Sequence, residues 1–225
     1  MRIVPLPEKA LKLGRDMVIA DVHLGYEIAM ARDGFYLPSV FYEVLKVIRS
    51  VIEREKPRRL IINGDLKHSF VPERRERIEL RTFVENVSPL VSEIILIRGN
   101  HDVGVQWLRE LGVEIADELE LGGWKLVHGH KLVEGEKFII GHEHPAIRLR
   151  DEVGAIVKVP AFLIGKRLIV LPAFSPWAYG NDVLREIVSP FLRYINEDFR
   201  VLVPVDNEIL DFGTLSKLRE FLKRL

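Results

Sequence analysis

The sequence contains no cysteine among its 225 residues. This absence excludes disulfide bonds, thiolate nucleophiles, cysteine zinc fingers and iron–sulfur clusters. An excess of one charge is also missing, because 33 basic side chains balance 33 acidic ones and the formal net charge is zero. Such a chain has no overall electrostatic attraction to nucleic acid or to an anionic membrane, although local patches remain compatible with it.

Long hydrophobic runs are absent as well. No apolar stretch approaches the roughly 20 residues that span a bilayer. Residues 1–13 mix proline and charge with short apolar pieces, unlike a signal peptide. We therefore expect a cytoplasmic protein with no membrane partner. Hydrophobic residues make up 48% of the chain, enough for a substantial core, and the length predicts one domain over residues 1–225. Abundant Glu, Lys and Arg with a single glutamine, Gln106, fit a heat-adapted source.

Periodicity predicts a layered α/β fold. Seven short aliphatic runs predict strands, at residues 17–20, 60–62, 94–97, 124–127, 138–140, 155–159 and 168–171. Helical spacing lies between the first three strands, marked by Val40, Val44, Val47, Ile48, Val51 and Ile52 after a predicted cap at Ser39, and then by Ile78, Phe83 and Val87. A last helix is predicted from Thr214 to the end, with Leu215, Leu218, Phe221 and Leu222 facing inward. Residues 201–213 fit either a β-hairpin or an irregular excursion.

All seven histidines follow predicted strands. They lie in five polar clusters, D21-V-H23, G64-D65-L-K-H68, G99-N100-H101-D102, H128-G-H130 and G141-H142-E143-H144. Because loops at the carboxyl ends of strands converge at one edge of an α/β sheet, we expect these side chains to meet. Taken alone, a D-x-H motif is most often a capped strand end, and G-H-E-H could be a surface turn. The occurrence of all five clusters in this order, each after a predicted strand, argues against those interpretations.

The clusters predict a metal site. Aspartate, asparagine and histidine supply oxygen and nitrogen ligands suited to Mn²⁺, Fe²⁺, Zn²⁺, Co²⁺ or Ni²⁺. The donors are too many for one tetrahedral ion, so a pair of ions bridged by one carboxylate is expected. Two such ions roughly 3.5–4 Å apart would lower the pKa of a bridging water, which could then attack phosphorus in line with the leaving group.

The five motifs, in the order DxH, GDxxH, GNHD, HGH and GHxH, resemble the calcineurin-like metallophosphoesterase superfamily over residues 18–145. The GDLKH block resembles phosphoesterases related to the SbcD and Mre11 nucleases, including the DNA-ligase-associated group. The resemblance implies a four-layer αββα sandwich of two mixed sheets flanked by helices. It also implies phosphodiester hydrolysis by a metal-bridging hydroxide, with Mn²⁺ as the expected metal.

The resemblance assigns a role to each matching residue. Asp21, His23 and His144 would bind one metal, Asn100, His128 and His142 would bind the other, and Asp65 would bridge the two. His101 would be the catalytic histidine that stabilises the transition state and protonates the leaving oxygen.

The second motif departs from the pattern of many phosphatases. Those enzymes carry aspartate at the position of His68, where it orients the catalytic histidine. We expect another group, such as Asp102, to orient His101. Histidine at this position resembles the Mre11-type nucleases and favours a phosphodiester substrate, with His68 as a second catalytic residue; the alternative is a hydrogen-bonding group that never touches substrate. His130 fits either an outer group or a substrate contact, and Glu143 and Asp102 fit outer hydrogen-bonding groups.

Other residues suggest substrate contacts with plain alternatives. Arg98 is a candidate phosphate ligand. The arginines of residues 74–81 could meet phosphates, although the interleaved glutamates favour a salt-bridged helix face. Phe174, Trp177 and Tyr179 could stack on bases or pack over the sheet.

Three functions remain open at this point. The first is a two-metal phosphodiesterase or nuclease, the second a small-molecule or nucleotide phosphodiesterase or phosphatase, and the third an inactive scaffold that binds protein partners. The balanced charge argues against assuming that DNA is the substrate. The sequence does not indicate an oligomeric state.

Overall fold

The computed structural model describes residues 1–71, 73–150 and 154–222. Two mixed β-sheets pack face to face, and other elements cover their outer faces. The predicted α/β class and the arrangement of two mixed sheets flanked by helices are confirmed. No helix in the described ranges is long and apolar enough to cross a membrane.

The first sheet contains six strands, and its parallel half carries the first three histidine clusters. Its strands, in spatial order, are β1 (Ile3–Pro5), β2 (Leu11–Leu13), β3 (Asp16–Ile19), β4 (Arg59–Asn63), β5 (Glu93–Ile97) and β6 (Val113–Ala116). Strands β1 to β3 pair antiparallel, and β3 to β6 pair parallel. In β4, Leu60 and Ile62 face the helices while Ile61 faces the second sheet. Both faces of β3, β4 and β5 are buried, so these three strands contain continuous apolar runs.

Helices α2 (Phe41–Glu55) and α3 (Arg74–Val87) pack on the outer face of this sheet, and α1 (Tyr26–Arg32) precedes them in the chain. The 3₁₀ segments Ser88–Leu90 and Gln106–Leu111 complete this layer. Most predicted core positions of α2 and α3 are buried, but Val47 and Ile78 are exposed and their assignment was wrong. Helix α2 begins after Val40, so Ser39 is not its N-cap residue as predicted, although Ser39 Oγ accepts a long hydrogen bond from Phe41 N–H at 3.5 Å. The helix is stabilised instead by its apolar face, on which Val44, Ile48 and Val51 are buried against the sheet.

The second sheet contains seven strands and carries the last two histidine clusters. Their order is β16 (Glu208–Thr214), β15 (Arg200–Val205), β12 (Phe162–Ile164), β13 (Leu168–Val170), β9 (Phe138–Ile140), β8 (Trp124–Leu126) and β7 (Leu119–Leu121). Strands β8, β9 and β13 pair parallel, and the other neighbours pair antiparallel. Strands β15 and β16 form a hairpin, which settles the alternatives for residues 201–213.

The outer face of the second sheet has a mixed cover. It consists of α4 (Pro190–Tyr194), α5 (Leu215–Leu222) and a small sheet of β11 (Ile156–Pro160), β10 (Pro145–Arg150) and β14 (Asn181–Asp182). In α5, Leu218 is buried as predicted, but Phe221 is 59% exposed and its inward placement was wrong. The side chain of Leu222 and residues 223–225, which the predicted helix included, lie outside the described residues.

The interior between the sheets joins the two halves of the chain. Val18, Ile61 and Ile95 of the first sheet pack against Ile139 and Ile169 of the second, and all five are at most 1% exposed. Removing such side chains from water contributes roughly 1.5–3 kcal/mol each. This packing fixes the carboxyl ends of β3, β4 and β5 beside those of β8 and β9.

Candidate metal centre

Each polar cluster lies just past the carboxyl end of a strand, and the two sheets bring all five clusters together. Backbone hydrogen bonds hold the edge: Asp21 N–H donates to Gly64 O at 3.0 Å, and His142 N–H donates to Asp21 Oδ2 at 3.0 Å. Asn63 Nδ2 donates to Ile139 O of the second sheet at 3.0 Å. Both halves of the chain therefore contribute to one site.

The first donor group consists of Asp21, His23 and His144. His144 Nε2 lies 3.2 Å from Asp21 Oδ1 and 3.4 Å from His23 Nε2. Asp21 and His23 are buried, whereas His144 is partly open to solvent. These are the residues that the family resemblance assigns to one metal.

The second donor group consists of Asp65, His128 and His142, with Asn100 beside it. His128 Nε2 lies 3.2 Å from Asp65 Oδ2 and 3.1 Å from Asn100 Oδ1. Asp65 Oδ2 is also 3.9 Å from His23 Nε2 of the first group. Asp65 therefore stands between the two groups, where a bridging ligand would have to be.

The donor sets fit divalent ions by spacing and by chemistry. Within each group, one donor atom per residue lies within 4.8 Å of the others, and bonds of about 2.0–2.2 Å allow such atoms to share an ion after small adjustments. Glycine provides the space around them, since a Cβ at Gly99 would lie 2.0 Å from Asp65 Oδ1 and one at Gly141 would lie 2.6 Å from Asp21 Oδ2. The residues present suit the two ions that the family resemblance implies.

His23, His68 and His101 form a third set with suitable spacing. This set shares His23 with the first group but meets it at the opposite ring nitrogen, because His68 Nδ1 lies 3.4 Å from His23 Nδ1. It contains no carboxylate to offset the charge of an ion, so it is the poorer metal site of the three.

Burial and charge divide the histidines into two classes. Burial lowers the pKa of His23 to about 3 and the pKa values of His68 and His142 to about 4, so these rings are neutral at pH 7 and ready to bind metal. Burial opposes a charge on His128 too, but its bond to Asp65 and the charge of Asp21 raise its pKa to about 9. Although burial acts against it, Asp21 likewise raises the pKa of His144.

Backbone strain is concentrated at the site. Among the described residues, eight non-glycine residues have positive φ, and five of them are Asp21, His23, Asp65, His142 and His144, with φ between 47° and 61°. This conformation is costly for residues with a Cβ and persists where surrounding contacts impose it. The strand-exit turns thus direct the side chains at the expense of local stability.

His101 and His68 stack beside the bridging carboxylate. Their ring centroids lie 5.3 Å apart at 22°, and His101 Nε2 is 4.0 Å from Asp65 Oδ2. His101 Nδ1 meets the backbone carbonyl oxygen of His68 in a short contact. The expectation that Asp102 orients His101 was therefore wrong, because the carbonyl of His68 occupies that position.

Asp102 and Glu143 are buried carboxylates that hold backbone. Asp102 accepts hydrogen bonds from the N–H groups of Asp65 at 2.8 Å, Leu66 at 3.0 Å and Gly99 at 2.9 Å, and burial raises its pKa to about 6. It thereby ties the loop after β4 to the loop after β5. Glu143 plays the corresponding part between the G-H-E-H turn and residues 181–189. Both fit the predicted outer, hydrogen-bonding position.

A pocket of about 380 Å³ adjoins the second donor group and is lined in part by Arg98, His128 and His130. His130 Nδ1 is buried and has no hydrogen-bond partner among the described residues. Arg98 pairs with Asp117 at 2.6 Å, so its guanidinium is already partly neutralised. Arg98 and His130 thus stand next to the donor groups and outside them.

Most of the other residues suggested as substrate contacts have structural roles instead. Arg77 and Arg81 pack over the ring of Trp107, at 4.4 Å and 5.8 Å from its centroid, which favours the structural interpretation of this helix face. Phe174 is in the core of the first sheet, and only Tyr179 of the three aromatic candidates is largely exposed.

The sequence interpretation missed three residues near His68 and His101. Tyr26 packs on the ring of His68 with centroids 4.6 Å apart, and Phe70 stacks on His101 at 4.1 Å. Lys67 is 2% exposed, although it lies in an otherwise polar cluster. Lysine is almost always a surface residue, so nothing in the sequence indicated this burial. Only its position between Asp65 and His68 linked it to the site.

Comparisons with known proteins found one matching family model and several similar solved structures. A family model described as calcineurin-like phosphoesterase matches residues 15–194. The crystal structure of Pseudomonas putida nuclease MPE matches with a TM-score of 0.69 and 21% identity over 93% of this chain and 94% of that one. Yfce, a phosphoesterase from E. coli, matches with a TM-score of 0.43 and 13% identity over 89% and 97% of the two chains. No curated protein sequence is significantly similar.

Proposed function

Because this chain belongs to the calcineurin-like phosphoesterase family, we propose that it hydrolyses phosphodiester bonds with two divalent metal ions and that its substrate is a nucleic acid. The observation that carries the diester assignment is the pair of stacked imidazoles, His101 and His68, beside the bridging carboxylate. No carboxylate takes the place of His68. The carboxylate–histidine pair that many phosphatases use on phosphate monoesters is therefore missing here, which favours a diester substrate.

Two sets of residues would hold the ions. Asp21, His23 and His144 would bind one, and Asn100, His128 and His142 the other, with Asp65 shared. Mn²⁺ is the proposed metal, and Fe²⁺, Zn²⁺, Ni²⁺ and Co²⁺ are the alternatives. Bound ions of this kind lower the pKa of water and neutralise charge on the phosphate oxygens.

The chain's own groups would orient the substrate and move the proton. The contact between His101 Nδ1 and the carbonyl oxygen of His68 fixes the ring with a proton on Nδ1, and the ring would act as the acid in its doubly protonated form. In that form Nε2 also carries a proton, which it would donate to the ester oxygen as the phosphorus–oxygen bond breaks. His68, neutral because burial lowers its pKa to about 4, would position the adjacent ester group.

The nuclease assignment rests on the second motif. The Pseudomonas putida protein that shares this fold is a nuclease, but 21% identity carries only the fold. We propose an SbcD/Mre11-related subgroup because of His68 in the GDLKH block. We also propose that residues 1–225 form one domain, since residues of both halves share the interior between the sheets.

Substrate preference tests the proposal. With Mn²⁺, we expect faster hydrolysis of bis-p-nitrophenyl phosphate than of p-nitrophenyl phosphate, together with cleavage of single-stranded DNA. A preference for the monoester or for free nucleotides would favour a phosphatase. No hydrolysis with any of the five metals would favour a scaffold.

Two variants at one position sharpen the assignment. His68→Ser should lose DNA cleavage while calorimetry shows unchanged Mn²⁺ binding. The matched variant His68→Asp installs the carboxylate of the phosphatases and should shift preference toward the monoester. If His68→Ser cleaves DNA at the wild-type rate, His68 is an outer group and the diester assignment loses its support.

A further inference from the structure

Lys67 is a buried lysine whose ammonium group bonds only to backbone carbonyls among the described residues. The residue is 2% exposed and lies between Asp65 and His68. Its Nζ donates to His101 O at 2.6 Å and, in a shorter contact, to Ser69 O. A buried ammonium is costly, and an apolar side chain of similar size would avoid that cost.

The bond to His101 O joins the loop that carries His68 to the loop that carries His101, and the bond to Ser69 O closes the first loop on itself. Ser69 directly follows His68, and its own N–H donates to the buried carboxylate of Glu76 at 2.8 Å, which anchors the first loop to α3. The carbonyl of His68 in turn meets His101 Nδ1. Lys67 therefore closes a connection in which each loop holds a backbone group of the other.

We propose that Lys67 is a positioning residue for His101. By holding the carbonyl groups of His101 and Ser69, its ammonium fixes the backbone on both sides of the stacked histidines. The ring of His101 then keeps Nδ1 on the carbonyl of His68, which leaves Nε2 free for the leaving oxygen. Lys67 itself does not touch substrate.

This inference rests on the proposed diester hydrolysis, in which His101 acts as the general acid. Water adds its oxygen to phosphorus and gives up one proton to solvent. The phosphorus–oxygen bond of the ester breaks with its electron pair on the departing oxygen, which takes the proton of His101 Nε2 to become an alcohol. His101 then regains a proton from solvent. An alcohol of high pKa needs that proton, whereas p-nitrophenolate leaves without it. Misplacing His101 should therefore slow the two kinds of ester unequally.

The experiment compares Lys67→Met with wild type on a dinucleoside monophosphate and on bis-p-nitrophenyl phosphate, both with Mn²⁺. We expect kcat to fall about 100-fold for the dinucleotide, within the usual contribution of a general acid, and by less than about threefold for the aryl ester. The affinity for Mn²⁺, measured by calorimetry, should stay unchanged. An equal fall for both esters, or no fall, would overturn the proposal.

Lys9→Met is the matched control. Lys9 Nζ also donates to two backbone carbonyls, of Phe174 at 2.7 Å and Ser175 at 3.3 Å, but it does not contact His68 or His101. Its loss should leave the ratio of the two ester rates at the wild-type value. If Lys9→Met changes this ratio as much as Lys67→Met does, the effect comes from general destabilisation of the protein and not from the position of His101. Should Lys67→Met fail to fold, Lys67→Gln retains a shorter donor and should shift the ratio in the same direction.

A readout without turnover separates this inference from the proposed function. In metal-free protein with ¹⁵N-labelled histidine, the ring spectrum of His101 should show a proton on Nδ1, and Lys67→Met should convert it to a mixture of tautomers. If wild type hydrolyses no ester, the proposed function fails, and this spectrum still decides whether Lys67 positions the ring. An unchanged spectrum in the variant would refute the positioning role.

Discussion

His128 Nε2 lies 3.2 Å from Asp65 Oδ2, and both side chains are almost fully buried. Each is a candidate ligand of the same ion. Without the ion, the bond to Asp65 and the charge of Asp21 overcome the effect of burial and raise the pKa of His128 to about 9. The metal-free site thus balances its buried carboxylates with a protonated histidine.

Metal binding must therefore displace a proton. Below pH 9 we expect binding of Mn²⁺ to release about one proton from His128, so affinity should fall by about tenfold for each pH unit of acidification per proton released. Calorimetric titration at pH 7 in two buffers of different ionisation enthalpy measures the number released. A count of zero would contradict the assignment of His128 as a ligand.

Asp65→Asn should remove the shared ligand. We expect the rate of diester hydrolysis to fall by more than about 100-fold, since even changes to outer groups cost 10–100-fold. The pKa of His128 should also fall, because the largest influence that raises it is the bond to Asp65. Histidine ring titration by NMR checks the second effect. Asp117→Asn is the control, because Asp117 pairs with Arg98 near the pocket and touches neither donor group. Full activity in Asp65→Asn would invalidate the site assignment.

Glu143→Ala should destabilise the fold around the last histidine turn. The buried carboxylate accepts hydrogen bonds from Asn181 Nδ2 at 2.7 Å, Val188 N–H at 3.0 Å and Ser189 N–H at 2.6 Å. Alanine would leave these donors without acceptors, so the free energy of unfolding should fall by about 2–4 kcal/mol. Urea denaturation measures it. Glu143→Gln keeps one acceptor and should cost less; equal losses would contradict this account.

Sequence patterns predicted most inner strands of both sheets and the meeting of the histidine clusters, but the inner strands β2 and β12 were missed. The runs that became β3, β4, β5 and β9 are largely apolar because they are buried on both faces, and their polar exits coincide at one edge with that of β8. Short edge strands such as β1, β7 and β14 were missed, since their burial depends on neighbours far away in the chain.

The limits at the site have a similar cause. Motif spacing identified residues that share one chemistry, but it could not indicate which backbone group each side chain contacts. Asp102 was expected at His101 and holds the N–H groups of Asp65 and Gly99 instead. Lys67 was overlooked because its burial is created by the loop after β5, which is distant in sequence.

Glu79 provides a test of stability against pH, away from the metal ligands. Burial, with the nearby charges of Glu27 and Glu76, raises its pKa from an ordinary value of 4.5 to about 7, and its Oε2 has no partner among the described residues. A raised pKa means that the folded state holds the proton more tightly than the unfolded state. The resulting stabilisation is complete below pH 4.5 and is lost as the pH rises through 7.

Replacing Glu79 by glutamine removes that loss. Relative to wild type, Glu79→Gln should therefore gain stability between pH 5 and pH 8, by about 1 kcal/mol after allowance for solvent screening of this partly exposed group. Urea denaturation of both proteins at the two pH values measures the difference. Glu85→Gln, an exposed residue of the same helix paired with Arg81 at 3.7 Å, should show no such pH dependence. If wild type instead gains stability relative to Glu79→Gln between pH 5 and pH 8, the folded protein favours the carboxylate of Glu79. That result would contradict the raised pKa expected from partial burial beside Glu27 and Glu76.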